Sequence, residues 1–245
     1  MAEPTPLVLL HPFPFDASFW SAAAPGLAAD REVVAPEFPG LGRAPMLESP
    51  TVDGFADAVA ARIAAMRGGR AAVCGLSLGG YAALSLAARH PERVAALVLA
   101  DTRAEPDAPD AAQGRHRSAA LIREAGAGAF LDEFVPRLVA PGDGASLDAA
   151  RAIADAQEPE AIARALEALA GRADRRPDLA GIAAPAQVVV GSEDAVTPVP
   201  LSEALAAGLP DSELVVIPGA GHLTALERPR EFAAAVGSFL ARRGA

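Results

Sequence analysis

Cysteine is almost absent from this chain, since Cys74 is the only one among 245 residues. A single cysteine cannot close an internal disulfide, which favours a reducing compartment, and we expect a cytoplasmic protein. Long apolar runs are missing as well: none reaches about 18 residues, the length that a membrane span requires. The first residues lack a charged region followed by an apolar stretch. The sequence therefore predicts neither a secretory leader nor a membrane span.

A basic cluster is also missing. The 21 Lys and Arg residues are outnumbered by 31 Asp and Glu, and the formal net charge is −10. An acidic chain without a basic cluster is a poor candidate for binding nucleic acid or an anionic membrane surface. We find no metal-ligand spacing and no internal repeat. We therefore expect a small-molecule substrate, no metal or organic cofactor, and a chain that acts as a monomer or a homodimer.

Short apolar runs bounded by turn residues predict strands, and helical patterns lie between them. The strand candidates are Leu7–Leu10, Glu32–Ala35, Ala71–Gly75, Ala96–Ala100, Gln187–Gly191 and Leu214–Ile217. The helix candidates are Ala17–Ala29, Val52–Met66, Leu78–Arg89, Leu201–Ala207 and Glu231–Arg242. Continuous apolar strands indicate burial on both faces, as in a parallel sheet. The alternation predicts an α/β fold: a mostly parallel sheet of about six strands flanked by helices.

One long segment interrupts this alternation. Between residues 104 and 181 we find no convincing strand pattern, only alanine-rich helical patterns such as Ala149–Gln157 and Glu160–Leu169. The segment is much longer than an ordinary crossover between strands. We therefore predict a core made of residues 1–103 and 182–245 and an inserted helical cap made of residues 104–181. The alternative is that these helices belong to the main helical layer.

Ser77 stands between an apolar strand and a helix, with glycine two positions to either side. Gly75-Leu76-Ser77-Leu78-Gly79 is a G-x-S-x-G sequence. At a strand-to-helix junction this motif is typical of a nucleophile elbow, a turn so sharp that larger flanking side chains would meet neighbouring backbone. The N-terminus of the following helix favours developing negative charge. We predict that Ser77 is a nucleophile; the alternative is a helix-capping serine in a glycine-rich turn.

A serine hydroxyl needs a base to take its proton. Of the four histidines, His222 is the one that follows the last predicted strand and precedes the final helix, at the edge of the sheet where ligands of open α/β sheets bind. His11 ends the first strand, His90 ends a helix, and His116 lies in a polar run. We predict that His222 is the base.

The base needs an acidic partner to hold its tautomer and stabilise the imidazolium. Asp194 follows the strand Gln187–Gly191 and completes the order Ser, Asp, His along the chain. Glu193 and Asp101 are the rival acids. We predict that Asp194 is the partner of His222.

Two backbone N–H groups are expected to hold the oxyanion of an acyl-transfer intermediate. One belongs to Leu78, the residue after the nucleophile. The second is expected in the loop after the first strand, His11–Asp16, where Pro12 and Pro14 have no N–H. We therefore predict that Phe13 is the second donor; the alternative is a rigid proline turn without a catalytic role.

At this point the sequence resembles the α/β-hydrolase fold superfamily. The matching blocks are HPFPFDASFW, APEFPGLGRA, GLSLGG with HPERVAALVLAD, VVVGSEDAVTP, and IPGAGHLTALERPREF. Within the superfamily the chain is similar to small carboxylesterases and 3-oxoadipate enol-lactonase-like hydrolases. It departs from the pattern at Pro12, where glycine is usual, and at Glu37, where aspartate is commoner. The family's leading β-hairpin is also expected to be missing, because the first parallel strand already begins at Leu7.

The resemblance implies a serine hydrolase that cleaves a small, apolar carboxylic ester or lactone through an acyl-enzyme. The pocket candidates are Leu76, Phe13, Phe15, Trp20, Phe130, Leu131 and Phe134. Arg123 and Arg137 are candidates for holding a substrate carboxylate, although arginines more often lie on solvated helix faces. The alternatives are a carbon–carbon bond hydrolase or perhydrolase with the same three residues, and a ligand receptor with slow turnover.

Overall fold

The computed structural model describes residues 5–28 and 31–245, and their strands form a single parallel sheet. In chain order the strands are β1 (Leu7–Leu10), β2 (Val33–Val34), β3 (Ala71–Leu76), β4 (Val94–Ala100), β5 (Ala186–Gly191) and β6 (Ser212–Ile217). Their order across the sheet is β2-β1-β3-β4-β5-β6, with every neighbouring pair parallel. The predicted α/β fold with a six-stranded parallel sheet is confirmed. Among the described residues, none before Leu7 belongs to a strand.

The helices lie where the amphipathic patterns predicted them, with boundaries that differ by a few residues. The α-helices of the described residues are α1 (Ala24–Leu27), α2 (Val52–Ala64), α3 (Leu78–Arg89), α4 (Pro109–Ala125), α5 (Gly128–Phe134), α6 (Gly144–Asp155), α7 (Pro159–Ala170), α8 (Val199–Gly208), α9 (Thr224–Glu227) and α10 (Pro229–Arg243).

The predicted helix over 17–29 is divided into two shorter elements. A 3₁₀ helix spans Ala17–Ser21, and α1 begins only at Ala24, with a proline in its first turn. Proline is favoured in the first turn of a helix because it has no N–H to pair and its φ is already fixed, so Pro25 favours the start of a new helix at Ala24. The last predicted residue, Ala29, lies outside the described residues.

Burial explains why the strands are apolar. All residues of β1, β3 and β5 are buried, because helices cover both faces of the sheet. The prediction of burial on both faces is wrong for two strands: both residues of β2 are half-buried, and in β6 four residues are half-buried and Val216 is 40% exposed. The reason is position, since β2 and β6 are the edge strands of the sheet and each has a neighbour on one side only.

The segment between β4 and β5 consists of helices and the loops that join them, without a strand. It contains α4, α5, α6 and α7 with 3₁₀ turns at Val135–Leu138 and Arg176–Gly181. Helices α4 and α7 pack against each other, and α7 buries Ile162, Leu166 and Leu169 at helical spacing. The division of the chain into a core and a cap over residues 104–181 stays a prediction.

In residues 5–28 and 31–245, no helix is both long enough and apolar enough to cross a bilayer.

Candidate active site

The turn between β3 and α3 forces an unusual backbone on Ser77. Its φ is 53° and its ψ is −110°, in a region that non-glycine residues rarely adopt. A Cβ at Gly75 would lie 2.1 Å from the carbonyl oxygen of Gly79, and one at Gly79 would lie 1.9 Å from that of Leu10. Only glycine fits either position. The Ser77 N–H donates to the Ala100 carbonyl (3.0 Å), which fixes the turn above the sheet.

The structure brings Ser77, His222 and Asp194 together, although 145 positions separate the first two in the chain. The distance from Ser77 Oγ to His222 Nε2 is 2.9 Å, and that from His222 Nδ1 to Asp194 Oδ2 is also 2.9 Å. Because the carboxylate accepts the Nδ1 proton, Nε2 is left to accept the Ser77 hydroxyl proton. His222 and Asp194 are buried, whereas Ser77 is partly exposed. A substrate can therefore reach the hydroxyl, while water is largely kept from the acid.

Asp194 is surrounded by hydrogen-bond donors that favour its charged form. Its Oδ1 accepts the N–H groups of Val196 (2.8 Å) and Thr197 (2.9 Å), and its Oδ2 accepts the Thr197 hydroxyl (2.7 Å) besides His222. Burial alone would raise the pKa of Asp194, but the charge and hydrogen bond of His222 and the Thr197 bonds outweigh it and lower that pKa. Thr197 was not singled out from the sequence, although an aspartate side chain commonly accepts the N–H groups of residues that follow it closely in the chain.

The rival acids lie elsewhere. Asp101 is fully buried, and its carboxyl accepts the N–H of Gly191 (3.0 Å) and the N–H (3.2 Å) and hydroxyl (2.5 Å) of Thr224. Burial, with the charge of Asp194, raises the pKa of Asp101 well above its ordinary value. Glu193 is exposed. Neither carboxyl hydrogen-bonds to His222 in the described part of the chain.

The remaining histidines have other partners. His11 is fully buried: its Nδ1 donates to the Pro12 carbonyl (3.0 Å) and its Nε2 accepts the Phe38 N–H (3.0 Å). Burial lowers the pKa of His11 and keeps the ring neutral, as both bonds require. His90 lies 2.7 Å from Asp57, and His116 is exposed. The sequence did not reveal this role of His11, whose two hydrogen bonds join the loop that contains Phe13 to the backbone at Phe38.

The Phe13 and Leu78 N–H groups lie at the ends of two adjacent strands, β1 and β3. Leu78 is the first residue of α3, where an N–H has no partner within the helix. Neither N–H donates a hydrogen bond within residues 5–28 and 31–245. Both remain available to a bound oxygen. The Phe13–Pro14 peptide is cis.

Some aromatic pocket candidates form a cluster beside this loop. The ring of Phe13 lies 5.6 Å from that of Phe134 and 6.2 Å from that of Phe130, and the last two stack at 5.1 Å. Phe130 and Phe134 are half-buried and line a cavity of about 320 Å³ together with Leu166 and Val196. Ser77, His222 and Phe13 are not among the residues that line this cavity. Arg115, Glu133 and Arg137 add charges to its wall.

The other candidates are placed differently. Phe15 and Trp20 are fully buried and form a chain of aromatic contacts with Phe19 and Phe232. Leu76 lies buried in β3, and Leu131 is buried in α5. None of these four candidates lines the 320 Å³ cavity.

The two arginines proposed for a substrate carboxylate differ in their surroundings. Arg123 is exposed and already paired with Glu160 (2.9 Å) and Glu167 (2.6 Å) on a helical surface. Arg137 reaches the cavity wall and has no acidic partner among the described residues. Within the same residues, no group of three or more His, Cys, Asp and Glu side chains is arranged to hold a metal.

Comparisons with known proteins find relatives that are esterases and hydrolases. The pimeloyl-(acyl-carrier protein) methyl ester esterase of Aromatoleum aromaticum is 34% identical to this chain, and the match covers 93% of this chain and 94% of that protein. A thermophilic esterase from Thermogutta terrifontis superposes with a TM-score of 0.95 at 32% identity, over 100% of this chain and 92% of its own. The enol-lactonase from Burkholderia xenovorans superposes with a TM-score of 0.88 at 27% identity, over 98% of this chain and 92% of its own.

A family model described as the alpha/beta hydrolase family matches residues 7–235. The resemblance drawn from the sequence blocks is thereby confirmed, and the chain belongs to the alpha/beta hydrolase family.

Proposed function

We propose that this protein is a serine hydrolase that cleaves a carboxylic ester or lactone through an acyl-enzyme. The observation that carries the proposal is the unbroken hydrogen-bond series from Ser77 through His222 to Asp194, which begins at a strained elbow and ends at a buried carboxylate. A nucleophile, a base and an acid linked in this order perform acyl transfer in proteins of unrelated fold.

In the first half-reaction, Ser77 Oγ attacks the substrate carbonyl carbon and His222 Nε2 takes the hydroxyl proton. The carbonyl π bond breaks, and its electron pair moves to the oxygen, where the N–H groups of Phe13 and Leu78 stabilise the charge. Asp194 stabilises the imidazolium of His222. When the tetrahedral intermediate collapses, the bond to the alkoxy oxygen breaks and His222 protonates the leaving alcohol.

In the second half-reaction, His222 takes a proton from water, and the resulting hydroxide attacks the acyl-enzyme carbonyl. The bond to Ser77 Oγ breaks, and His222 returns the proton to the serine. A carboxylic acid is released and the protein is regenerated, so the cycle consumes one water and needs no other reactant.

The helical segment after β4 supplies a wall of the substrate site in this proposal. Its residues Phe130 and Phe134 touch the ring of Phe13. Gln157, also in this segment, accepts the Gly42 N–H (2.8 Å) and donates to Asp16 (2.9 Å) in the same loop as Phe13. The segment is thus fastened beside the oxyanion donors, where a cap over Ser77 is expected.

The named relatives favour esters among the substrates of such a site. A methyl ester esterase at 34% identity and an esterase with a TM-score of 0.95 both point to an alkoxy leaving group, and the enol-lactonase at 27% identity points to a cyclic ester. The partly exposed rings of Phe130 and Phe134 suit an apolar acyl chain. Carbon–carbon bond hydrolysis, perhydrolysis and a slow-turnover receptor are the alternatives.

The proposal is tested by turnover of p-nitrophenyl esters from acetate to decanoate. We expect many turnovers per protein molecule, and we expect a fluorophosphonate to stop them by labelling Ser77, as located by peptide mass spectrometry. A stoichiometric burst without further turnover would favour the receptor. Labelling of a different serine with loss of activity would overturn the proposal.

Replacing Phe134 by alanine is expected to change acyl-chain preference. Loss of one ring of the stacked pair widens the cavity, and differences of one or two methylenes in an apolar pocket change kcat/KM by about 10-fold or more. We expect the octanoate-to-acetate ratio of kcat/KM to rise about 5-fold or more. Leu121→Ala is the matched control, because Leu121 is 62% exposed on α4. An equal change of the octanoate-to-acetate ratio in both variants would show that Phe134 does not contact the acyl chain.

A further inference from the structure

Glu227 is a buried carboxylate that the proposed reaction does not use. Glu227 is 6% exposed. Its carboxylate oxygens accept three backbone N–H groups: those of Ala140 (2.9 Å) and Gly221 (2.9 Å) on Oε2, and that of Leu223 (3.0 Å) on Oε1. No cation pairs with it among the described residues. Three amide dipoles therefore solvate the charge in place of water.

Two of the three donors flank His222 in the chain. The carboxylate of Glu227 holds the N–H of Gly221 on one side and that of Leu223 on the other. The N–H of His222 itself donates to the Leu138 carbonyl at 2.9 Å. Three consecutive backbone amides are thus held, and the imidazole is carried on a backbone that cannot turn without breaking them.

The third donor comes from the helical segment that lines the cavity. Ala140 follows the 3₁₀ turn Val135–Leu138, and this strip of chain lies directly against the His222 loop. A Cβ at Gly221 would lie 2.5 Å from the Ala140 nitrogen and 2.9 Å from the Val139 carbonyl carbon. Only glycine permits such a close crossing. Glu227 therefore joins the loop of His222 to the segment that follows Phe134.

We propose that Glu227 is a positioning residue for His222: by holding both flanking amides, it keeps Nε2 within hydrogen-bond distance of Ser77. The inference rests on the proposed roles of Ser77 and His222. A glutamine at position 227 has nearly the same shape but only one acceptor oxygen, and its NH₂ group faces at least one backbone N–H. The bonded loop is then loosened on one side of His222 while the packing is kept.

The test compares Glu227→Gln with Arg228→Gln. Arg228 is a matched control because it also fastens the loop to the segment, through Asp143 (3.0 Å) and the Gly219 carbonyl (2.7 Å), without touching an amide beside His222. For Glu227→Gln we expect kcat for p-nitrophenyl acetate to fall about 10- to 100-fold with KM changed less than about 2-fold. Phosphonylation of Ser77 is expected to slow in parallel. For Arg228→Gln we expect a lower Tm and kcat within about 3-fold of wild type.

An unchanged kcat in folded Glu227→Gln would overturn the inference. So would a raised KM at unchanged kcat, which would place the role of Glu227 in the cavity wall. If the variant does not fold, amide hydrogen exchange of the wild-type protein decides. Slow exchange is expected at Gly221 and Leu223 relative to the exposed Ala195, whose N–H donates no hydrogen bond among the described residues. Exchange as fast as at Ala195 would overturn the inference. The proposed function fails separately, if Ser77→Ala retains activity.

Discussion

Replacing Ser77 by alanine is expected to lower kcat for ester hydrolysis at least about 10⁴-fold, because the attacking oxygen is removed while the oxyanion donors remain. The measurement is steady-state turnover of p-nitrophenyl acetate, with circular dichroism to establish that the variant is folded. Folding should be kept, since alanine removes only the hydroxyl, and the Ser77 N–H bond to the Ala100 carbonyl belongs to the backbone.

Ser118→Ala is the matched control for this experiment. Ser118 lines the 320 Å³ cavity but has no base within hydrogen-bond distance among the described residues. We expect its kcat to stay within about 3-fold of wild type. If Ser77→Ala retained more than about 1% of the wild-type kcat, the nucleophile would have to be sought elsewhere.

Asp194→Asn is expected to lower kcat about 10⁴-fold, because an amide cannot both accept the Thr197 bonds and hold His222 with its Nδ1 proton. Its NH₂ group favours the opposite tautomer, in which Nε2 carries a proton and cannot accept that of Ser77. Turnover of p-nitrophenyl acetate at pH 7 to 8 measures the loss. Asp101→Asn is the comparison. If it removed activity while Asp194→Asn did not, the acid would be Asp101.

Asp194→Asn is also expected to change how the free energy of unfolding depends on pH. The folded-state pKa of Asp194 is lowered, so its ionised form stabilises the fold at pH values above the ordinary value of about 3.9. That contribution is lost as the pH falls through the lowered value. The difference in free energy of unfolding between the wild-type protein and Asp194→Asn should therefore be present at pH 7 and narrow below about pH 4. A difference that stayed constant with pH would contradict the charged state assigned to Asp194.

The parts of the fold that could be predicted from sequence depend on local rules. The elbow was predictable because its glycines answer steric demands within a few residues, and Leu78–Arg89 begins and ends as predicted. The positions of Asp194 and His222 followed from strand ends, because the carboxyl ends of parallel strands meet at one edge. The burial of β6 was overestimated, because strand order across a sheet is a property of the whole chain.

The parts that could not be predicted depend on contacts between distant residues. Phe15 and Trp20 lie in an aromatic core with Phe232, whereas Phe130 and Phe134 line a cavity. All of these side chains are large and aromatic, so residue type does not distinguish core from cavity, and only the packing of the helices does. Glu227 was not singled out because a glutamate is usually solvated. Its three amide donors come from two separate stretches of chain, and no local pattern reports such a convergence.

The reactivity of the Cys74 thiol can be used to follow the unfolding of this protein. It is fully buried in β3, between Leu9 of β1 and Val98 of β4, and burial together with the charge of Asp101 raises the pKa of its thiol. A thiol reagent can therefore reach it only after the central strands separate. Because the chain has no other cysteine, the rate of labelling of the unmodified protein measures how often the sheet opens. Comparing that rate before and after Ser77 is phosphonylated would give the kinetic stability that an occupied active site adds to the fold.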